Sequence, residues 1–268
     1  MIEINGKRAN EAEAKRVHAV TNRIRNLARN KEHFRLSSFN SLKQGKGLGF
    51  SASAFAAIAL ASCGALGLRM EPERMSEIAR LGAGSASRSL VGGFSIWYAN
   101  RNGRSYAKQL SPSGRLDLAM AVVPIPSAVK TEMAHEESVS SPYFGARLVE
   151  VKGGLRGMLR AIHDGDLDEL GRLTEAESLS LHAVTMTGKA GLVLMAPETI
   201  RIMECIRAMR ENDSLPVWFS LDTGPSVYVN THEAFIDEVC KQIRASTNLE
   251  VMKSKVGGPA HTVEEYLF

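Results

Sequence analysis

Apolar residues recur at helical spacing near the start of the chain and form short continuous runs further along it. Residues 10–31 place arginine and lysine between the apolar positions, which predicts an amphipathic surface helix. The apolar face of this helix is predicted to consist of Val17, Val20, Ile24 and Leu27. Helices are also predicted at 72–82, 154–163, 166–176, 197–210 and 233–245.

Short apolar runs predict strands at 116–125, 215–222 and 227–230, and a last strand ends near residue 256. The second and third of these are separated by Thr-Gly-Pro-Ser, a strong turn signal. Because strands and helices mix without a regular βαβ rhythm, the pattern favours an α+β fold over a doubly wound sheet. We predict two domains, at residues 1–126 and 127–268.

Composition narrows the classes of protein. The chain is 44% hydrophobic and 23% charged, which is ordinary for a soluble globular enzyme. Its formal net charge of +4 is too small to indicate a nucleic-acid-binding protein and suits polyanionic metabolites as ligands. Its three cysteines are widely separated and lack CxxC spacing, which favours a reduced, cytoplasmic protein.

One uncharged segment, residues 47–68, is long enough to span a bilayer. It consists mainly of glycine, alanine and serine, whose transfer out of water is weakly favourable, and no second span accompanies it. We therefore predict a buried helix after a tight glycine loop, and no membrane partner.

The glycine loop itself is a candidate phosphate site. Glycines let the backbone wrap around an anion, and the next helix offers unpaired amide donors. The candidate phosphate-binding residues are Gly47, Gly49, Ser51 and Ser53. The loop is not a Walker sequence, and a purely structural turn is an equal alternative on the residues alone.

A second candidate is the glycine- and serine-rich run at 82–93, which contains one arginine. Arg88 is placed to hold a carboxylate or a phosphate, with Ser85 and Ser87 beside it. The alternative is a surface arginine at a helix end.

A third candidate is Asp222, at the end of an apolar strand and inside a Gly-Pro turn. Such a position presents a catalytic carboxylate, but it also suits an aspartate that only starts a turn.

Asp164, Asp166 and Asp168 have the spacing of a calcium loop, but Glu169 stands where glycine is required. We therefore predict no metal site there.

Taken together and in order, these segments resemble the diphosphomevalonate decarboxylase family. SEIARLGAGSASRSLVGGFSIW resembles its arginine-containing loop, and GLGFSASAFAAIALA resembles its phosphate loop and helix. FSLDTGPSVYV is similar to its Asp-x-Gly-Pro turn, VKTEMAHEESVSSPYF to its helix ending in Ser-Pro, and KVGGPA to its closing glycine turn. The similarity covers nearly the whole chain.

The resemblance implies the two-lobed fold of the galactokinase, homoserine kinase and mevalonate kinase superfamily. The implied reaction phosphorylates the tertiary hydroxyl of a mevalonate phosphate, and then expels that phosphate and CO2 to form an alkene. Asp222 is implied to stabilise developing positive charge, and Arg88 to fix the substrate carboxylate. Ser51 and Ser85 are implied to contact phosphate groups.

Several residues depart from the family pattern. Members of the family have an N-terminal segment that precedes the part matched by this sequence. We therefore expect that part of the first lobe is missing here. Ala83 stands where a serine is usual, and Met133-Ala134-His135 replaces Gly-Met-Arg, which makes His135 a candidate substrate contact. These changes resemble archaeal relatives that act on 5-phosphomevalonate or mevalonate 3,5-bisphosphate.

The resemblance leaves alternatives open. ATP and Mg²⁺ are expected to be needed, unless the substrate is the 3,5-bisphosphate. The other hypotheses are a kinase of the same fold, which releases ADP without CO2, and an inactive fragment that binds a partner through exposed strand edges. A homodimer is expected from the resemblance, and nucleic acid is not expected as a partner.

Overall fold

A computed structural model describes residues 1–40, 50–127, 129 and 131–264. The described chain divides into two compact units, the first from 1–40, 50–113 and 257–264 and the second from 114–256. The division differs from the predicted domains because the strand at 119–123 pairs with strands near 227 and 252 and so belongs to the second unit. The last described residues return to the first unit.

The first unit combines helices with two small groups of strands. Strands β1, β2 and β3 pair in the order β2-β1-β3, and β4 and β5 form an antiparallel hairpin. The strands are β1 Ile2–Ile4, β2 Lys7–Arg8, β3 Leu36–Ser38, β4 Phe94–Arg101 and β5 Arg104–Ser111. The helices are α1 Glu11–Leu27, α2 Phe50–Ala65, α3 Pro72–Ala79 and α4 Ala86–Val91.

Helix α1 follows from its sequence. Asn10 caps it by accepting from the Glu13 amide, and the Glu13 carboxylate accepts from the Asn10 amide, both at 2.9 Å. Its apolar stripe packs into the core of the first unit through Val17, Val20 and Ile24. The prediction for Leu27 was wrong: it is 39% exposed, because it is the last residue of the helix.

The second unit consists of helices packed against an antiparallel sheet of four described strands, whose order in the sheet differs from their order in the sequence. Strands β6 Ala119–Val123, β7 Val217–Leu221, β8 Val227–Thr231 and β9 Met252–Lys255 pair in the order β7-β8-β6-β9. The helices are α5 Thr131–Ser140, α6 Phe144–Asp164, α7 Leu167–Met186, α8 Pro197–Asp213 and α9 Ile236–Thr247, with a short 3₁₀ turn at Glu233–Phe235. Helices α8 and α9 bury their apolar faces against the sheet.

Helices α6 and α7 are much longer than predicted. The first turns of α6 do have apolar residues at helical spacing (Phe144, Leu148, Val151 and Leu155), but Gly153-Gly154 interrupts the pattern, and the helix buries only Ala161 among its described residues. Helix α7 buries Ser178, His182 and Thr185 together with its apolar residues, and these polar positions hide its period. Gly165, at a φ of +76°, separates the two helices, and Asp166 caps α7.

No helix in the described ranges is both long and apolar enough to cross a membrane. Helix α2, the uncharged segment after the glycine loop, instead buries Phe55, Ile58 and Cys63 in the first unit. The prediction of a buried helix is confirmed.

Gly171 of α7 packs directly against the ring of Trp218 on β7, and a Cβ at this position would overlap that ring. We expect Gly171→Ala to lower the free energy of unfolding by about 1–3 kcal/mol, the usual cost of overpacking. Urea unfolding measures this change. Gly153→Ala in α6 is the matched control, since its Cβ would meet no atom within 4 Å. We expect this control to stabilise the helix by about 0.5–1 kcal/mol, and equal losses in both variants would contradict the packing argument.

Candidate active site

The arginine-containing loop of the first unit is tied down before it reaches Arg88. The Arg16 Nε donates to the Gly82 carbonyl at 2.8 Å, and a side chain at Gly82 would overlap the Phe55 ring. The Ser87 hydroxyl is fully buried and donates to the Gly84 carbonyl at 2.8 Å. The loop therefore has a fixed backbone on which α4 presents its side chains.

Arg88 is exposed on α4, and it makes no ion pair with any residue in the part of the chain that is described. Ser85, directly before the helix, is partly exposed. A guanidinium that is held on a fixed element and left unpaired is suited to bind a carboxylate or phosphate through two parallel hydrogen bonds.

The end of α4 meets the closing glycine turn of the chain. Gly92 and Gly93 have φ angles of +64° and +60°, and a Cβ at Gly92 would overlap the backbone of Gly258. The Gly93 amide donates to the Gly257 carbonyl at 2.8 Å. Glycine is required here because two backbone segments approach each other with no room for a side chain.

The candidate phosphate loop is described only from its end. Gly47 and Gly49 lie outside the described residues. Ser51 and Ser53 are exposed in the first turn of α2, where the Ser53 hydroxyl donates to the Phe50 carbonyl at 3.1 Å. Their contacts with phosphate stay predictions.

In the second unit, Asp222 follows β7 immediately and is exposed. Its Oδ1 accepts a hydrogen bond from the Thr223 amide at 2.9 Å. Two hydroxyl groups, one from α8 and one within the turn, hold the rest of the turn. The Thr199 hydroxyl donates to the Pro225 carbonyl at 2.6 Å, and the Ser226 hydroxyl contacts the backbone N and O of Ile125 at 2.9 and 3.1 Å. The turn is rigid while the carboxylate faces solvent.

Helix α7 holds the outer side of β7, which lies at the edge of the sheet formed by the described strands. The Glu175 carboxylate accepts from the Phe219 amide at 3.0 Å, and the Ser178 hydroxyl accepts from the Leu221 amide at 2.9 Å. The His182 Nε2 lies 3.1 Å from the Asp222 carbonyl oxygen. These helix side chains satisfy backbone groups that an edge strand otherwise leaves open.

Two ionisable groups near Asp222 have shifted pKa values. Burial lowers the pKa of His182, and this outweighs the opposite effects of the Asp222 carbonyl and the Asp222 charge. Burial, together with the negative charge of Asp222, raises the pKa of Tyr228 to about 12. At neutral pH the imidazole is therefore neutral and the phenol keeps its proton.

His135 is exposed on α5, and its substrate contact stays a prediction. Its neighbour Glu137 is buried, and its carboxylate accepts from the Ala190 and Gly191 amides at 2.7 and 3.0 Å. Glu137 therefore fixes the loop that follows α7.

Comparison with known proteins gives the family. The sequence profile "Diphosphomevalonate decarboxylase-like N-terminal domain" matches residues 1–107, and "Mevalonate 5-diphosphate decarboxylase C-terminal domain" matches residues 128–264. The chain belongs to the diphosphomevalonate decarboxylase family. The expectation drawn from its loop and turn sequences is confirmed.

Two curated relatives carry different names and differ in their sequence identity to this chain. The phosphomevalonate decarboxylase of Haloferax volcanii is 38% identical over 98% of this chain and 81% of its own length. The diphosphomevalonate decarboxylase of Candida albicans is 28% identical over 75% of this chain, which spans 58% of that enzyme.

A solved structure of a family member, MDDEF in complex with MVAPP, AMPPCP and magnesium, matches the fold. Its TM-score is 0.86 with 27% identity, and the match covers 96% of this chain and 80% of that one. The expected α+β fold of this decarboxylase family and its kinase superfamily is confirmed.

Sequence reasoning found Arg88 and Asp222 but missed the residues that hold Asp222 in place. Ser178, His182 and Thr199 lie 20 or more residues from the turn along the chain, so no local motif links them to it. One signal was available: Glu175, Ser178 and His182 place polar groups on one face of a helix that is otherwise apolar there.

Proposed function

We propose that this protein is a decarboxylase that acts on a phosphorylated mevalonate, with 5-phosphomevalonate and ATP as its substrates. The observation that carries the proposal is the Asp222 turn, in which a solvent-facing carboxylate stands on a backbone held from several sides. Family membership and the 38% identity to the Haloferax phosphomevalonate decarboxylase support the same conclusion.

Asp222 is suited to both stages of this reaction. Its carboxylate accepts a hydrogen bond from the tertiary hydroxyl and orients it for phosphoryl transfer from ATP. When the new phosphate departs, positive charge develops at the tertiary carbon, and the carboxylate stabilises that charge. The bond from the neighbouring carbon to the substrate carboxylate then breaks, its electron pair forms the alkene, and CO2 leaves.

Arg88 is assigned to the substrate carboxylate. Two parallel hydrogen bonds from its guanidinium fix the orientation of the group that becomes CO2. Fragmentation is favoured when the breaking C–C bond is aligned with the departing phosphate, so this orientation affects rate as well as binding. Ser85, partly exposed beside Arg88, is assigned to a substrate phosphate.

ATP and magnesium fit the donor groups of this chain. Mg²⁺ is usually bound through one or two carboxylates together with substrate phosphates. Within the described ranges, no group of three His, Cys, Asp or Glu side chains could hold a metal ion. The ion would be carried by the nucleotide phosphates, and Ser51, exposed at the start of α2, would contact those phosphates.

The number of substrate phosphates is assigned from Ala83 and from the relatives. A serine at this position would add a hydroxyl donor to the loop, whereas alanine removes it, which suits a substrate with a single phosphate at C5. The Haloferax protein, named for phosphomevalonate, is more similar to this chain than the Candida enzyme named for diphosphomevalonate.

We also propose a cytoplasmic homodimer. The three cysteines are unpaired in the structure, which is consistent with a reducing compartment. Leu148 and Val149 of α6 are 50% and 73% exposed, and a second copy of the chain would cover them. Sedimentation equilibrium measures the mass, and a monomer at micromolar concentration would contradict the dimer.

The proposed function is tested by CO2 release from 5-phosphomevalonate, 5-diphosphomevalonate and mevalonate 3,5-bisphosphate, each with and without ATP and magnesium. We expect release from 5-phosphomevalonate that requires ATP and produces isopentenyl phosphate. Release from the bisphosphate without ATP would correct the substrate and remove the nucleotide.

Two other outcomes separate the alternative functions. ADP formation without CO2 from any substrate would indicate a kinase of the same fold. A folded sample that neither releases CO2 nor forms ADP would favour a non-catalytic binding protein.

A further inference from the structure

His182 is a polar residue in an apolar position. Its side chain is fully buried at 0% exposure on the face of α7 that packs against β7. Because a carbonyl oxygen only accepts, the contact with Asp222 O at 3.1 Å requires the proton on Nε2. The other ring nitrogen, Nδ1, is then a bare acceptor, and it is buried without a partner among the described residues.

Packing does not explain this choice of residue. Burying an acceptor without a hydrogen bond destabilises the folded state, and an apolar side chain of similar length would fill the space without that cost. The histidine supplies one thing that an apolar residue lacks, a donor for the Asp222 carbonyl. Residues that cost stability in this way are typical of functional sites.

The donor lies where it controls the orientation of Asp222. Ser178 and His182 are four residues apart and so occupy one face of α7. The Ser178 hydroxyl accepts from the amide of Leu221, the residue before Asp222. The His182 Nε2 donates to the carbonyl of Asp222 itself. Together they fix the backbone around Asp222 and so the direction of its Cα–Cβ bond, while the Thr223 amide holds Oδ1.

We infer that His182 is a positioning residue that holds the Asp222 carboxylate in the orientation needed for decarboxylation. The inference rests on the proposed function, since it gives the orientation of Asp222 a consequence for CO2 release. His182 acts through the Asp222 backbone and is not assigned any contact with substrate.

The test compares side chains that differ in the donor. His182→Met fills a similar volume without a donor, and we expect it to lower kcat about tenfold or more while KM stays within about twofold. His182→Gln places an amide N–H at the distance of Nε2, and we expect it to keep kcat within about threefold of the wild type. A purely structural role would not distinguish glutamine from methionine in kcat at equal Tm.

The matched control is Thr231→Val. The buried Thr231 hydroxyl donates to the Pro216 carbonyl at 2.8 Å, at the other end of β7. Like His182→Met, the Thr231→Val substitution removes a buried side-chain donor to a backbone carbonyl next to β7, and we expect kcat to remain unchanged. Equal kcat losses in the threonine and methionine variants, or wild-type kcat in the methionine variant, would overturn the inference. If the methionine variant does not fold, His182→Asn replaces it, because asparagine has the same amide but is one bond too short.

A spectroscopic measurement tests the inference without turnover. In ¹⁵N-histidine-labelled protein we expect a slowly exchanging Nε2–H proton and a neutral ring near pH 7. A ring protonated on Nδ1 instead would refute the positioning role. If the wild-type chain releases no CO2, the proposed function fails, and this signal alone decides whether His182 holds Asp222.

Discussion

Asp222→Asn is expected to lower kcat for CO2 release by about 10³-fold while KM changes little, because the substitution removes a charge needed chiefly in the transition state. In the wild type the Thr223 amide donates to Asp222 Oδ1 at 2.9 Å. Asparagine has the same shape, and its side-chain oxygen can accept the same hydrogen bond. The turn should therefore keep its structure, with Tm within a few degrees of the wild type. Steady-state kinetics with 5-phosphomevalonate and thermal unfolding measure the two effects separately.

Asp166→Asn is the matched control for this prediction. Asp166 is also exposed, and its Oδ1 accepts a backbone N–H at 2.9 Å, but it caps α7. Asparagine is an equally good cap, so we expect unchanged kcat and stability. An Asp222→Asn enzyme with kcat within threefold of the wild type would refute the role proposed for this carboxylate.

Arg88→Gln is expected to lower kcat/KM about 10²-fold, since it removes the paired donors assigned to the substrate carboxylate. Arg88→Lys keeps the positive charge but cannot form the two parallel bonds, so we expect it to recover only part of the loss. Kinetics for both variants measure the difference. Because Arg88 is exposed, neither change should alter Tm appreciably.

Arg23→Gln is the control for charge alone, since Arg23 is an exposed arginine on α1 of the same unit. It changes the net charge of the protein by the same amount and should leave kcat/KM unchanged. Full activity of Arg88→Lys would show that only a positive charge is needed and would contradict the bidentate contact.

The parts of the fold that were predicted correctly are those with local signals. Helix α1 has an apolar stripe and a capping box, and β7 and β8 flank a Gly-Pro turn. The hairpin of β4 and β5 was missed although Asn102-Gly103, both at positive φ, is a strong hairpin signal. Its strands give weak signals, because β4 buries none of its residues fully and β5 buries only Ala107 and Ser111.

The candidate site was predicted only in part for a different reason. Arg88 and Asp222 belong to contiguous motifs, so the family resemblance identified them directly. The partners of Asp222 come from separate helices and are brought to it only by the packing of those helices on the sheet. Their hydroxyl and imidazole groups also look like ordinary helix residues in the sequence, and only the structure shows which carbonyl each one binds.

The contact between α4 and the glycine turn at Gly257–Gly258 has a consequence for biosynthesis. The first unit needs residues 257–260 to complete its packing around Gly92, yet residues 114–256 fold as a separate unit between them. The segment that completes the first unit is synthesised after the whole of the second unit, so the packing around Gly92 cannot form until both units have been translated. This order departs from the usual N-terminal-first completion of domains, and it makes the end of α4, next to Arg88, a late element to form.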